Sequence, residues 1–280
     1  MKKWKRFLIV LVVMALILAQ LYIDNNMVEI TKLQIVSNKI PESFDGYKIL
    51  QISDFHSREF PGGNELLVKK IEKTNPDIIV FTGDMVMGNE QDFTTFFNLL
   101  DQLSGKYQMY FVPGNHEVVL SAKAKQQFLD CFSRNGVTFL DNSSVELVEN
   151  GEKIKLYGLW YEKKYYQSCE LSLEDIQQRI GIANTESYNI LLTHQPKYFS
   201  LYQSWGADLI FSGHVHGGMV RLPFLGALFS PEGGFLPEYS AGQYDLKDSV
   251  LVVSRGLGIG SRGFRLFNRP ELVLITLKTT

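Results

Sequence analysis

The sequence predicts an α/β fold of two sheets with helices outside, preceded by one N-terminal transmembrane helix. Three observations carry this expectation. A rhythm of strand, polar loop and helix repeats from Tyr47 to Gly136, the pattern of an α/β sheet. From Val145 onward hairpin-like strands replace part of the helix, so the second half should pair more antiparallel. An apolar run, Phe7 to Ile23, follows Lys2, Lys3, Lys5 and Arg6, and Gln20 is its one clearly polar residue.

The apolar run is 17 residues long, at the short end for a membrane span and longer than a usual signal-peptide core. A core helix rarely opens with four cations in six residues. An uncleaved signal anchor is therefore expected over residues 1–25, with one folded domain over 26–280. Ile17-Leu18-Ala19 is a poor cleavage signal, which leaves a removed signal peptide as the alternative. In the next fifteen residues only Lys32 is basic, against Asp24 and Glu29. This bias puts the N-terminus in the cytoplasm and the domain outside.

The rest of the chain has the composition of a globular core. Of the 280 residues 45% are hydrophobic and 21% charged, which excludes a disordered chain. A net charge of -2 gives no bulk attraction for nucleic acid, and none is expected as a partner. Cys131 and Cys169 lack C-x-x-C spacing, which excludes zinc-ribbon and thioredoxin chemistry. They could form one disulfide or remain two thiols.

Taken in order, Val28–Val36 alternates loosely as a strand, and Tyr47–Ser53 is a second, ending in Asp54-Phe55-His56. After the Pro61-Gly62-Gly63 turn, Asn64 should cap a helix to about Lys73, stopped by Asn75-Pro76. Asp77–Phe81 is nearly all apolar, as expected of a strand buried on both faces, and leads to Thr82-Gly83-Asp84. A helix from about Asp92 to Leu103 precedes a strand from Tyr107 to Val112, which ends in Pro113-Gly114-Asn115-His116-Glu117. A further helix spans about Ser121 to Asn135. Val145–Trp160 reads as a hairpin around Asn150-Gly151, with a helix from about Ser172 to Ile182 after it. Strands at Asn189–Leu192 and Ala207–Phe211 flank a helix that follows Pro196. They end in Thr193-His194 and in Ser212-Gly213-His214-Val215-His216. The tail adds strands at Val250–Ser254 and Glu271–Lys278.

All five histidines lie just past strand-like runs, beside Asp, Asn, Gly or Pro: His56, His116, His194, His214 and His216. A lone Asp or His at such a place is usually a cap or a turn residue. Structural histidines would have no reason to collect there together with Asp54, Asp84 and Asn115. Carboxylate, imidazole and amide oxygen suit divalent Mn, Zn or Fe, and no thiolate is among them. Asp54 and His56, like His214 and His216, are two apart, so on an extended segment each pair can point one way. Asp84 has two oxygens and could bridge two ions. Two such ions about 3.5–4 Å apart can clamp a phosphoryl group and generate hydroxide near neutral pH.

These blocks, Asp54-Phe55-His56, Gly83-Asp84, Gly114-Asn115-His116-Glu117, His194 and Gly213-His214-Val215-His216, resemble the five-block signature of the calcineurin-like metallophosphoesterases. The resemblance runs from about Lys48 to Leu277. It implies a four-layer α/β/β/α sandwich of two mixed sheets. It further implies one ion on Asp54, His56, Asp84 and His216, and another on Asp84, Asn115, His194 and His214. His116 would bind no metal. It would donate to a phosphoryl oxygen or protonate the leaving group while a hydroxide bridging the ions attacks. Glu117 could orient His116, but a carboxylate is favoured at a helix start in any case, and that is the reading taken.

The anchor together with the tail Ser254-Arg255-Gly256-Leu257-Gly258 and Arg269-Pro270-Glu271-Leu272 resembles a membrane-attached bacterial subgroup. That subgroup contains cell-envelope phosphodiesterases and UDP-2,3-diacylglucosamine hydrolases, which split a pyrophosphate in lipid A synthesis. A nucleotide-linked precursor is cytoplasmic, and the charge bias puts this domain outside. An envelope phosphodiester, lipid-linked or part of the wall, is the expected substrate. The stretch Met219–Tyr244 carries Leu222, Phe224, Leu225, Leu228, Phe229, Phe235 and Leu236 directly after the last histidines. It should lie over the site, either packed inward as a lid base or forming an apolar lip. Arg58, Arg221 and Arg255 are candidates for a second acidic group. A non-catalytic, membrane-tethered metal-binding protein would lack a position of the pattern, and here every position is filled.

Overall fold

A computed structural model describes residues 2–222, 224–230, 234–259 and 263–280. The chain opens with α1 (Lys2–Asn26), then β1 (Glu29–Val36), β2 (Lys48–Ile52), α2 (Glu65–Thr74), β3 (Ile78–Thr82), α3 (Thr94–Leu103) and β4 (Gln108–Val112). Next come α4 (Asn115–Val118), α5 (Ala122–Asn135), β5 (Val137–Phe139), β6 (Ser143–Glu149), β7 (Glu152–Leu159), α6 (Lys164–Gln167) and α7 (Leu173–Ile180). The remainder is β8 (Asn189–Thr193), α8 (Phe199–Trp205), β9 (Leu209–Ser212), β10 (Val220–Leu222), β11 (Gly226–Ser230), β12 (Gly234–Phe235), β13 (Gly242–Leu246), β14 (Ser249–Val253) and β15 (Glu271–Lys278).

Among the described residues the strands form two mixed six-stranded sheets, ordered β1-β15-β2-β3-β4-β5 and β13-β14-β9-β8-β7-β6, and a small sheet β10-β11-β12. Strand alternation explains the layering. In β3, Ile78 and Val80 face a core between the two sheets, while Ile79 and Phe81 face α2, α3 and α5. In β8, Ile190 and Leu192 face the core between the sheets, and Leu191 packs with Ile176 of α7 and Phe199 of α8. The result is helices, sheet, sheet, helices. β3 is buried along its whole length, as its apolar run requires.

Local chemistry accounts for most boundaries. Ser121 caps α5, its hydroxyl accepting from Ala124 N, and Gly136 ends that helix with φ 67. Ser172 and Asp175 form a capping box on α7. Asn150 and Gly151 both take positive φ in the β6–β7 turn. Asn64 departs from expectation. It sits ahead of α2 but gives the helix no side-chain bond, and its amide oxygen accepts from Phe60 N at 3.4 Å instead.

The second sheet pairs antiparallel at both edges, β6–β7 and β13–β14, around a parallel centre. The placement of β15 was not foreseen. It inserts into the first sheet between β1, parallel to it, and β2, antiparallel to it. Cys131 and Cys169 are both free thiols. α1 is the one helix among the described residues long and apolar enough to cross a membrane. Its end is not loose: Asp24 Oδ2 accepts from Phe267 N, and the Asn25 side chain exchanges bonds with Arg265 N and O.

Candidate metal centre

β2, β3 and β4 run parallel in one sheet, and β8 and β9 run parallel in the other, so their carboxyl ends share an edge. The candidate residues follow those ends. Buried Gln51 ties the sheets together there, donating to Thr82 Oγ1 at 2.9 Å and to Ser212 O at 2.8 Å.

The ligand atoms of Asp54, His56 and His216 lie within 4.8 Å of one another, as do those of Asp84, His194 and His214. Asp84 also stands in a third such group, with His56 and His116. Its Oδ2 is 3.1 Å from His194 Nε2, 3.9 Å from His56 Nε2 and 3.8 Å from His116 Nε2. Asp54 Oδ1 is 3.4 Å from His216 Nε2. Asp84 thus faces both halves of the cluster from between them.

The convergence does not come from extended segments. Asp54, His56, Asp84, His214 and His216 all adopt left-handed backbone, with φ of 48, 49, 57, 72 and 53. Each such residue costs on the order of 1 kcal/mol or more, and strain of this kind collects at functional sites. The expectation that extended spacing aligns Asp54 with His56, and His214 with His216, is corrected here: turns aim them. Close approach explains a flanking glycine. A Cβ on Gly213 would lie 2.0 Å from Ser53 Oγ and 2.2 Å from Asp54 Oδ2.

Protonation at three of the four candidate ligand imidazoles suits a cation site. Burial pushes His56 down to about 4 and His214 down to about 3, and holds His216 well below the ordinary range. These rings are neutral at pH 7, as ligands must be. His194 is pulled down by burial but carried up to about 10 by Asp84 and Asp54. Burial lifts Asp54 to about 7 with Asp84 adding to it, while Asp84 is held low against burial by His194, His116 and His56. Buried Asn115 Oδ1 and His214 Nδ1 have no hydrogen-bond partner among the described residues. Such orphaned acceptors cost free energy unless something binds them. His194 Nδ1 bonds Thr82 O at 2.7 Å, a partner that directs the Nε2 lone pair toward the cluster. The donor set therefore fits divalent ions.

His116 differs from the other histidines. Gly88 N–H donates to its Nδ1 at 2.7 Å. A neutral His116 then carries its proton on Nε2, which makes that atom a donor and not a ligand.

Other side chains hold functions the sequence hid. Glu117 is buried and accepts from Asp84 N, Met85 N, Val86 N and Gly114 N. It neither orients His116 nor merely opens a helix. It clamps the loops that carry Asp84 and Asn115; burial and the Asp84 charge push its carboxyl up to about 7, against the N–H groups of Gly114 and Asp84 that favour its charge. Tyr166 on α6 lies 5.3 Å from the His214 ring and 6.1 Å from His194, and its buried hydroxyl has no partner among the described residues. A pocket of about 290 Å³ opens beside it, lined also by Lys197, Glu238 and Tyr239. Arg265 is buried, donating to Arg255 O, Gly256 O and Gly258 O behind the Asp54 loop. The arginines singled out from sequence are committed elsewhere. Arg255 pairs with Glu29 and Glu271, Arg221 donates to Gly217 O, and Arg58 donates to Asn25 O.

The sequence model of the calcineurin-like phosphoesterases matches residues 47–218. The chain belongs to that family. Calcineurin-like phosphoesterases are metal-dependent phosphoester hydrolases, and the His/Asp clusters described above are this chain's candidate ligands for divalent ions. The chain is 30% identical over 264 residues to the metallophosphoesterase YkuE of Bacillus subtilis, spanning 92% of this chain and 88% of YkuE. A Danio rerio relative, named a transmembrane protein with metallophosphoesterase domain, is 25% identical over 259 residues. That alignment spans 89% of this chain and 57% of the relative. Among solved structures, TT1561 of Thermus thermophilus superposes with a TM-score of 0.49 at 13% identity, over 74% of this chain and 88% of that one.

Proposed function

We propose that this protein hydrolyses a phosphodiester or pyrophosphate bond of a membrane- or envelope-associated substrate with two divalent ions. The carrying observation is Asp84, whose Oδ2 lies 3.1 Å from His194 Nε2 and 3.9 Å from His56 Nε2, between the two halves of the cluster. One ion would sit on Asp54, His56, Asp84 and His216, the other on Asp84, Asn115, His194 and His214. Bound there, the ions would supply charge for the phosphoryl oxygens and a water acidic enough to ionise near neutral pH.

The chain's own residues do the rest. His116 Nε2–H, fixed by Gly88, donates a hydrogen bond to the oxygen on which charge builds. Tyr166 donates from the His214 side to a second oxygen. Glu117 keeps the Asp84 and Asn115 loops at a set separation. Gln51 holds the two sheets in register beneath them.

α1 anchors the chain in a bilayer, with its cations on the cytoplasmic side and the domain outside. The apolar segment after the last histidines supports a lipid-linked substrate: Phe224, Leu225, Phe235 and Leu236 are exposed and not packed inward as a lid base.

The test is nitrophenol release from bis(p-nitrophenyl) phosphate by the full chain in detergent. Added manganese should raise the rate, and EDTA should abolish it reversibly. Metal-loaded protein that is inactive on diesters, monoesters and pyrophosphates alike would instead favour a non-catalytic metal-binding role.

A further inference from the structure

The surface between the anchor helix and the candidate metal centre is continuous. Asp24 and Asn25, the last turn of α1, bond the backbone of Arg265 and Phe267. Leu266 in turn bonds Met219 O and receives Arg221 N, so this segment runs beside β10. From β10 the small sheet projects, and Ser230 Oγ reaches back to Val215 O in the histidine turn. Asn268 donates to His216 O at 2.9 Å from the same segment. Helix exit, small sheet and histidine turn are thus one hydrogen-bonded unit.

What this unit shows to solvent is apolar. Phe224 is fully exposed, Phe235 is 82% exposed, Leu225 68% and Leu236 65%, with Phe264 and Phe267 half-exposed nearer the helix. From 219 to 238 the charged residues are Arg221, which is turned back onto Gly217 O, and Glu232 and Glu238, which flank the Phe235-Leu236 tip in sequence. Phe224, Leu236 and Phe267 hold left-handed backbone, φ 69, 49 and 54, where Gly or Asn would sit at less cost. Apolar patches of this kind on a soluble face mark a contact surface. A bilayer crossed by α1 would reach this surface by continuity.

We propose that the tips of the small sheet, Phe224-Leu225 and Phe235-Leu236, insert into the same bilayer that α1 crosses. The chain then holds the membrane at two points, with the histidine turn between them at headgroup level. The occupant is a lipid surface, and the phosphoester presented to the site is that of a lipid headgroup. This inference rests on the reading of α1 as a membrane anchor and of the site as a phosphoesterase.

The experiment keeps those readings separable. The full chain with Cys169→Ser is reconstituted in phosphatidylcholine/phosphatidylglycerol vesicles and labelled with NBD at Leu225→Cys, at Leu236→Cys or, as control, at exposed Glu186→Cys ahead of β8. Blue-shifted emission at 225 and 236 that doxyl-labelled lipids quench several-fold more than at 186 supports insertion. Equal, weak quenching at all three sites overturns it. So does a blue shift that grows with protein concentration and ignores doxyl lipid, which would mean a second copy covers the patch. Release from bis(p-nitrophenyl) phosphate is read on the same samples. An active protein whose labels stay in water loses only this inference. An inactive protein with quenched labels loses only the phosphoesterase reading.

Discussion

At the scale of single residues, the proposed centre would separate groups that hold ions from groups that act on substrate. His116 is the clearest of the second kind, because Gly88 N–H occupies its Nδ1. His116→Gln should lower kcat by about 100-fold or more while metal content stays at the wild-type value. Atomic emission on the purified variant, set beside its kinetics, checks both halves. Tyr166→Phe removes only a hydroxyl with no partner among the described residues, so the fold should tolerate it, and kcat should fall by about 10-fold with little change in melting temperature. Glu117→Ala should behave in the opposite way. It strands four buried N–H groups, destabilising the protein by about 3 kcal/mol or more, which a denaturant titration reads directly. Of these three residues only His116 was marked by its surroundings in sequence. Glu117 looks like any carboxylate at a helix start, because its four partners come from loops more than thirty residues away as well as from its own turn. Tyr166 is one aromatic in Tyr161–Tyr166, a stretch with two lysines that reads as surface.

At the scale of elements, strand ends were legible because buried parallel strands must be apolar and must then stop. The polar residue after each stop marked the edge where β2, β3, β4, β8 and β9 deliver their loops. Turn chemistry at Ser121, Gly136 and Asn150-Gly151 was legible for the same local reason. The aim of the ligands was not. A two-residue spacing suits an extended segment, whereas the chain uses left-handed turns whose strain is offset only in the folded site. The position of β15 was also hidden, since pairing with β1 and β2 spans more than two hundred residues. The close fit at the turns carries its own prediction. Gly213→Ala would press a methyl onto Ser53 and Asp54, so it should weaken metal retention under dialysis at least tenfold while circular dichroism stays near wild type.

At the scale of the whole molecule, two sheets meet in one core and deliver their ligands to one edge, so bound ions cross-link the sheets. Chelation should therefore lower the melting temperature by several degrees, with manganese restoring it. α1 adds a second constraint: its last turn is bonded to the loop that carries Arg265, behind Asp54. A chain begun at Asn26 loses those bonds and should melt below one begun at Gln20.

The central claim is that the turn from His214 to His216 serves two different ions, with Asp84 between them. Metal counting on His214→Ala and His216→Ala, purified in manganese and compared with the unaltered chain, tests it most directly. The account predicts about two ions per chain in the parent and about one in each variant, with diesterase activity lost in both. An unchanged count in either variant would contradict it.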